Sequence, residues 1–394
     1  MPVSMPHRLR AALAALLVLL PLAAALVPLA LPPWTFRLVV LRIATAELGP
    51  AIALAALGLG AVAVGLAPGR RWLAAVGAVT AAGLALVPTL TARHAARLGL
   101  IAVDSFGRPP RATVPNVVGP SPLFGVITGL PRPPEVTERA VRYAAADGTP
   151  LTLRLYRDER TAGPTRPTVV VLYGGAWRNG DASQGAPVQR WIAAHGYTVI
   201  ALDYRHAPAH PFPAAPDDVR RGLALVRDSA MAWNVDTARV ALLGRSSGGH
   251  LATLVAWDTT GTPLTVRGVV SFYGPFDLAR GYVDRPHPDP IDARAVLRDF
   301  LGGAPHDVPE RYRAASPSTW VRPGLPPALL VYGGADHLVK PAFGRAAAAA
   351  LRRAGVPVAY VEIPWAEHGF DLADGGPEGT AALGVVLRFL ARVL

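Results

Sequence analysis

"VALLGRSSGGHLA", residues 240–252, passes from an apolar run directly into two serines set between glycines. Serine is a favoured helix N-cap and glycine tolerates positive φ, so a plain strand-to-helix turn accounts for the composition. The spacing says more. Gly244-Arg245-Ser246-Ser247-Gly248 fits G-x-S-x-G, in which small residues flank a serine held on a strained turn so that its Oγ stands at the top of a sheet. Residues 240–243 read as a buried strand and 250–256 as the start of a helix, which is the context the pattern requires.

A serine hydroxyl is a weak nucleophile at neutral pH. It needs a base, normally histidine, and a carboxylate to hold that histidine's tautomer and stabilise the imidazolium. With the nucleophile on such an elbow, the order along the chain is Ser, acid, His, each on a loop leaving the C-terminal end of a strand. After "PALLVYGG" comes Asp336, and after "PVAYVEIPWAE" comes His368. Each has a plainer reading: Asp336 could cap the helix that begins near Pro341, and a loop histidine is often surface decoration. Found together and in order, Ser246, Asp336 and His368 form the expected triad, with Asp277 in "YGPFDL" as the rival acid. Main-chain N–H groups must also meet the charge that develops on a carbonyl oxygen. One comes from Ser247, next to the nucleophile. Gly175 and Ala176 in "VVVLYGGAWRNGD", residues 169–181, are the expected further donors, unless that segment is a simple Gly-Gly turn.

Outward from these loops, residues 136–394 alternate apolar β-branched runs with helical patterns, which predicts an α/β domain around a mostly parallel sheet covered on both faces. The spacing predicts strands at 139–145, 151–157, 167–173, 197–203, 238–243, 267–273, 327–332 and 357–363. Helices are expected at 186–195, 216–229, 248–257, 340–354 and 379–393. Residues 279–320 form an insertion between the sixth and seventh strands. Its apolar members Val296, Leu297, Phe300 and Leu301 suit either a lid lining or ordinary helix packing.

The first 95 residues have another character. Residues 11–31, 49–67 and 72–92 lack charge, apart from Arg71 just before the last, and each is long enough to cross a hydrocarbon core of about 30 Å at about 1.5 Å per residue. They are expected to be transmembrane helices. Residues 36–48 are apolar but interrupted by Arg37, Arg42 and Glu47, and read as an interfacial connector. Arg8 and Arg10 favour a cytoplasmic N-terminus, which with three spans places the large domain outside; Arg93, Arg97, Arg108 and Arg111 pull the other way. Residues 96–135, richer in proline and glycine, read as a linker.

Composition closes other routes. The formal net charge of +12 invites nucleic acid, but only Lys340 is lysine, and the arginines are scattered without interleaved aromatics, so no nucleic-acid partner is expected. Cysteine is absent, which excludes disulfides, thiolate metal sites and a cysteine nucleophile. No metal or cofactor is expected.

The stretches "YGGAW", "ALDYRHAPAHPFPAAPDDVRRGL" (201–223), "GRSSGGHLA", "ALLVYGGADHLV" and "EHGF" resemble the hormone-sensitive-lipase and feruloyl-esterase-like group of α/β-hydrolases. The likeness spans about residues 167–370. It implies an eight-stranded α/β-hydrolase fold and cofactor-independent cleavage of carboxylic esters through an acyl-enzyme, with Asp203, Tyr204 and Arg205 as a structural motif at a strand end. One position departs: where the family's oxyanion loop usually begins with histidine, this chain has Tyr173. The implied partner is a small-molecule ester; proximity to a lipid bilayer suits lipid-like or hydrophobic acyl esters, but a fold does not specify its substrate and short-chain esters are the first expectation. A peptidase or amidase on the same fold, or a hydrolase-shaped membrane protein without catalysis, are the competing classes.

Overall fold

The computed structural model describes residues 5–106, 129–131, 135–160, 165–258, 260–372 and 375–394. Its centre is one eight-stranded sheet of β1 (Val136–Ala144), β2 (Pro150–Asp158), β3 (Arg166–Leu172), β4 (Thr198–Leu202), β5 (Val235–Arg245), β6 (Val266–Phe272), β7 (Ala328–Gly333) and β8 (Val358–Ile363). The order across the sheet is β1-β2-β4-β3-β5-β6-β7-β8. The first two pairings, β1 with β2 and β2 with β4, are antiparallel, and all the rest are parallel. Each expected strand has its counterpart. The parallel strands are legible because both their faces are covered, so they read as unbroken apolar runs.

Helices α5 (Ala186–Ala194), α6 (Ala214–Asp228), α7 (Ser247–Trp257), α11 (Pro341–Arg353) and α12 (Pro377–Val393) cover the sheet. The insertion after β6 carries α8 (Leu278–Val283), α9 (Ala293–Leu301) and α10 (Pro309–Ala315). Parallel connections deliver the loops after β3, β5, β7 and β8 to the same sheet edge, where the expected site residues lie.

Four helices precede the sheet: α1 (His7–Ala30), α2 (Phe36–Glu47), α3 (Gly49–Leu66) and α4 (Arg71–Asp104). Among the described residues, α3 and α4 are long and apolar enough to cross a membrane. Small residues let them approach closely: a Cβ on Gly49 would sit 2.5 Å from the Leu84 carbonyl oxygen. The helix expected at 72–92 instead runs on to Asp104. The reason is a stripe of small and apolar residues, Ala92, Ala95, Gly99 and Val103, at helical spacing, which packs onto the domain core. A Cβ on Gly99 would lie 2.5 Å from Val361 of β8 and 3.2 Å from Val385 of α12. Asp104 then closes the contact by pairing with Arg388 at 2.7 Å and Arg392 at 2.9 Å. The first part of the expected linker is therefore helix, while most of the remainder, 107–128 and 132–134, lies outside the described residues.

Candidate active site

Ser246 sits between β5 and α7 with φ 52° and ψ −121°, a left-handed conformation that a residue with a side chain adopts only under constraint. The constraint comes from its neighbours. A Cβ on Gly244 would fall 2.0 Å from the Gly248 carbonyl oxygen, and one on Gly248 would fall 2.2 Å from that of Leu172 at the end of β3. Only glycine fits at either place. Ser246 N–H donates to the Phe272 carbonyl at 2.9 Å, tying the turn to β6.

The chain brings the other two expected residues to this hydroxyl. Ser246 Oγ lies 2.9 Å from His368 Nε2, and His368 Nδ1 lies 2.8 Å from Asp336 Oδ2. Asp336, 6% exposed, keeps its other oxygen bonded to the N–H groups of Leu338 and Val339, both at 2.8 Å. Those bonds hold the carboxylate aimed at a histidine that is itself only 8% exposed. The rival Asp277 serves elsewhere: its Oδ1 accepts the Arg280 N–H at 3.0 Å, capping α8.

The loop after β3 lies against the elbow, since a Cβ on Gly174 would stand 3.2 Å from that of Ser246. Gly175 (φ 142°), Ala176 (φ 55°) and Trp177 (φ 57°) all turn through positive φ. The N–H groups of Gly175 and Ala176 donate to no backbone acceptor among the described residues. The loop is pinned through Trp177, whose Nε1 donates to His250 Nδ1 at 3.3 Å while His250 Nε2 donates to the Ala315 carbonyl at 2.7 Å. Burial pushes His250 down to about 4, so it serves here as a neutral strut.

Tyr173 begins that loop. Its hydroxyl donates to Asp203 Oδ1 at 2.7 Å and lies 2.9 Å from His206 Nε2. Tyr204 stacks on it with ring centres 4.4 Å apart and donates its hydroxyl to the Tyr173 carbonyl at 3.0 Å. Arg205 binds Asp218 through Nε at 2.8 Å and Asp147 at 2.7 Å. Asp203 and Tyr204 thus brace the loop from behind, while Arg205 ties their segment to α6 and to the turn between β1 and β2. Burial raises the pKa of Asp203, against the lowering pull of the Tyr173 hydrogen bond.

The profile of the BD-FAE family matches residues 153–351. The chain belongs to the BD-FAE family. Among curated proteins, Esterase LipC of Mycobacterium tuberculosis is 34% identical over 249 residues, which cover 58% of this chain and 60% of that protein. Esterase LipQ of the same organism is 30% identical over 291 residues, covering 69% and 68%. The chain thus spans somewhat under two thirds of LipC. Among solved structures, an esterase from Pyrobaculum calidifontis is similar in fold, with a TM-score of 0.58 at 24% identity over 78% of this chain and 95% of that one. The sheet described above is that of an α/β-hydrolase.

Around Ser246 and His368 opens a cavity of about 740 Å³, in the size range of small-molecule sites. Of the insertion residues, Val296 and Leu297 line it. Phe300 instead stacks on Trp177 at 4.3 Å and Leu301 is fully buried, so the stretch divides between lining and packing. The wall that sequence reasoning missed comes from α2: Phe36, Val40, Ile43, Ala44 and, just beyond it, Leu48 line the same cavity. Their helical spacing was the available signal. A bridge secures α2 to the site. Arg42 Nε donates to Glu367 at 2.8 Å, and Glu367 also takes His337 Nδ1 at 2.6 Å, joining the loops that carry His368 and Asp336. That hydrogen bond, donated to the Glu367 carboxylate, raises the His337 pKa. Among the described residues, no group of three or more His, Asp or Glu is arranged to hold a metal ion.

Proposed function

We propose that the protein is a membrane-anchored serine hydrolase that cleaves carboxylic esters. The observation that carries this reading is the hydrogen-bonded line from Ser246 Oγ through His368 to Asp336, at 2.9 and 2.8 Å, begun on a positive-φ elbow. In the proposed cycle Ser246 Oγ attacks the ester carbonyl carbon while His368 Nε2 takes its proton. The negative charge on the carbonyl oxygen is met by the N–H groups of Ser247, Gly175 and Ala176. Collapse expels the alcohol, which receives the proton from His368, and leaves the acyl group on Ser246. Water, deprotonated by the same imidazole, then releases the acid and restores the hydroxyl. Asp336 holds the imidazole in the required tautomer and stabilises its charged form.

The esterase names of the relatives support the choice of ester over amide. The apolar helices α1, α3 and α4 support the anchoring. Acetate and butyrate p-nitrophenyl esters test the activity, with Ser246→Ala as control. The expected result is turnover by the wild-type chain and labelling of Ser246 by a fluorophosphonate, both lost in Ser246→Ala. A wild-type chain that neither turns over these esters nor takes the label refutes the reading.

A further inference from the structure

The cavity and the apolar N-terminal helices are not separate features. Phe36, Val40, Ile43 and Ala44 recur at intervals of three and four along α2, so that one stripe of this helix faces the cavity. Ile43 comes deepest: a Cβ on Gly369, the residue after His368, would lie 3.7 Å from its Cδ1. At the other extreme the cavity residues Phe36, Leu48 and Leu372 are 51%, 42% and 60% exposed, forming an apolar rim. Leu48 both lines the cavity and immediately precedes α3, one of the two helices suited to cross a membrane. The apolar wall beside the reactive serine therefore adjoins, through Leu48, the first turn of a candidate span.

We propose that α2 is the acyl-chain wall of the site and that the substrate is a long-chain lipid ester drawn laterally from the bilayer, its carbonyl at Ser246 and its hydrocarbon chain along Ile43, Val40 and Phe36. The assignment rests on the hydrolase and anchoring readings above, and adds the class of ester and its route. Soluble short-chain esters occupy only the end of the cavity nearest Ser246, whereas a fatty acyl chain removes the exposed rim from water.

The test uses the full chain in phosphatidylcholine vesicles. A p-nitrophenyl laurate bearing a diazirine near the chain end is added to the Ser246→Ala protein, irradiated, and the adducts mapped by mass spectrometry. The expected adducts fall within residues 36–48, and Ile43→Trp abolishes them. Absence of adducts there, or adducts indifferent to Ile43→Trp, overturns the assignment irrespective of catalysis. In the Ser246-intact chain, Ile43→Trp should lower the laurate-to-butyrate ratio of kcat/KM by about tenfold or more, the scale on which a hydrophobic pocket discriminates chain length. Ile43→Ala should raise that ratio, which keeps the test decisive where the bulky variant misfolds. Fluorophosphonate labelling separates the two failures: a labelled chain with an unchanged ratio in both variants sinks the acyl wall, and an unlabelled wild type sinks the hydrolase reading.

Discussion

Gly248→Ala is a severe test of the geometry around Ser246, because the added methyl group has nowhere to go. Its Cβ would stand 2.2 Å from the Leu172 carbonyl oxygen and 2.3 Å from that of Tyr173, both main-chain atoms at the end of β3. Relief needs a displacement of about 1 Å between the elbow and that strand end, and overpacking of this kind costs about 1–3 kcal/mol. The strand end leads directly into Gly175 and Ala176. The displacement thus separates the proposed oxyanion donors from Ser246, and a misplacement of about 1 Å costs about 10²-fold in rate. Stopped-assay kinetics with p-nitrophenyl butyrate should therefore show kcat/KM reduced by about 10²-fold, mostly in kcat, since the loss is felt in the transition state. Thermal unfolding should fall by about 2–4 °C for each kcal/mol lost. A variant with kcat/KM within threefold of wild type and an unchanged melting temperature would show that the packing at Gly248 does not set the site.

Asp336→Asn preserves the shape but no longer fixes the His368 tautomer, and kcat should fall by about 10⁴-fold with little change in KM, read by the same assay. Tyr173→Phe removes one donor to the half-buried Asp203; a hydrogen bond lost from a carboxylate costs about 1–3 kcal/mol, so urea unfolding should shift accordingly while activity suffers far less than in Gly248→Ala, because the oxyanion donors are main-chain groups. Glu47 of α2 and Glu378 of α12 are buried against each other, with Asp371 and Glu367 near them, and burial raises both pKa values. Protons are then bound more tightly in the folded state. The stability they contribute is complete below the ordinary glutamate value of about 4.3 and is lost as pH rises through the raised folded-state values. Glu378→Gln should flatten that fall and stabilise the protein at alkaline pH, as melting curves across a pH series would reveal; a variant as pH-sensitive as wild type refutes it.

The sheet was readable because strands covered on both faces repeat one signature, apolar and β-branched, and because glycine punctuates the loops between them. Ser246, Asp336 and His368 were readable for a related reason: each follows such a strand, so topology alone limits where they can meet. What lay beyond reach depends on contacts between distant parts of the chain. Arg42 looks like an interruption in an apolar run until Glu367, 325 residues away, supplies its partner. Residues 36–48 look interfacial because their helical stripe does not say what it faces. Tyr173 looks like a defect in a family pattern, whereas Asp203 and Tyr204 are placed to suit it. The continuation of α4 to Asp104 was visible in its stripe of small residues, but a search for apolar spans stops where Arg93 begins to add charge.

That continuous α4, 34 residues with Pro88 inside it, has mechanical meaning. Its first half belongs to the apolar bundle and its second half to the packed interior beneath β8 and α12. If the apolar bundle anchors the chain as proposed, a jointed leash would let the domain swing, whereas a helix shared by bundle and domain would set the domain's height and tilt over the lipid surface. Reach across the bilayer plane would be surrendered, and in return the mouth of the cavity would keep one orientation to it.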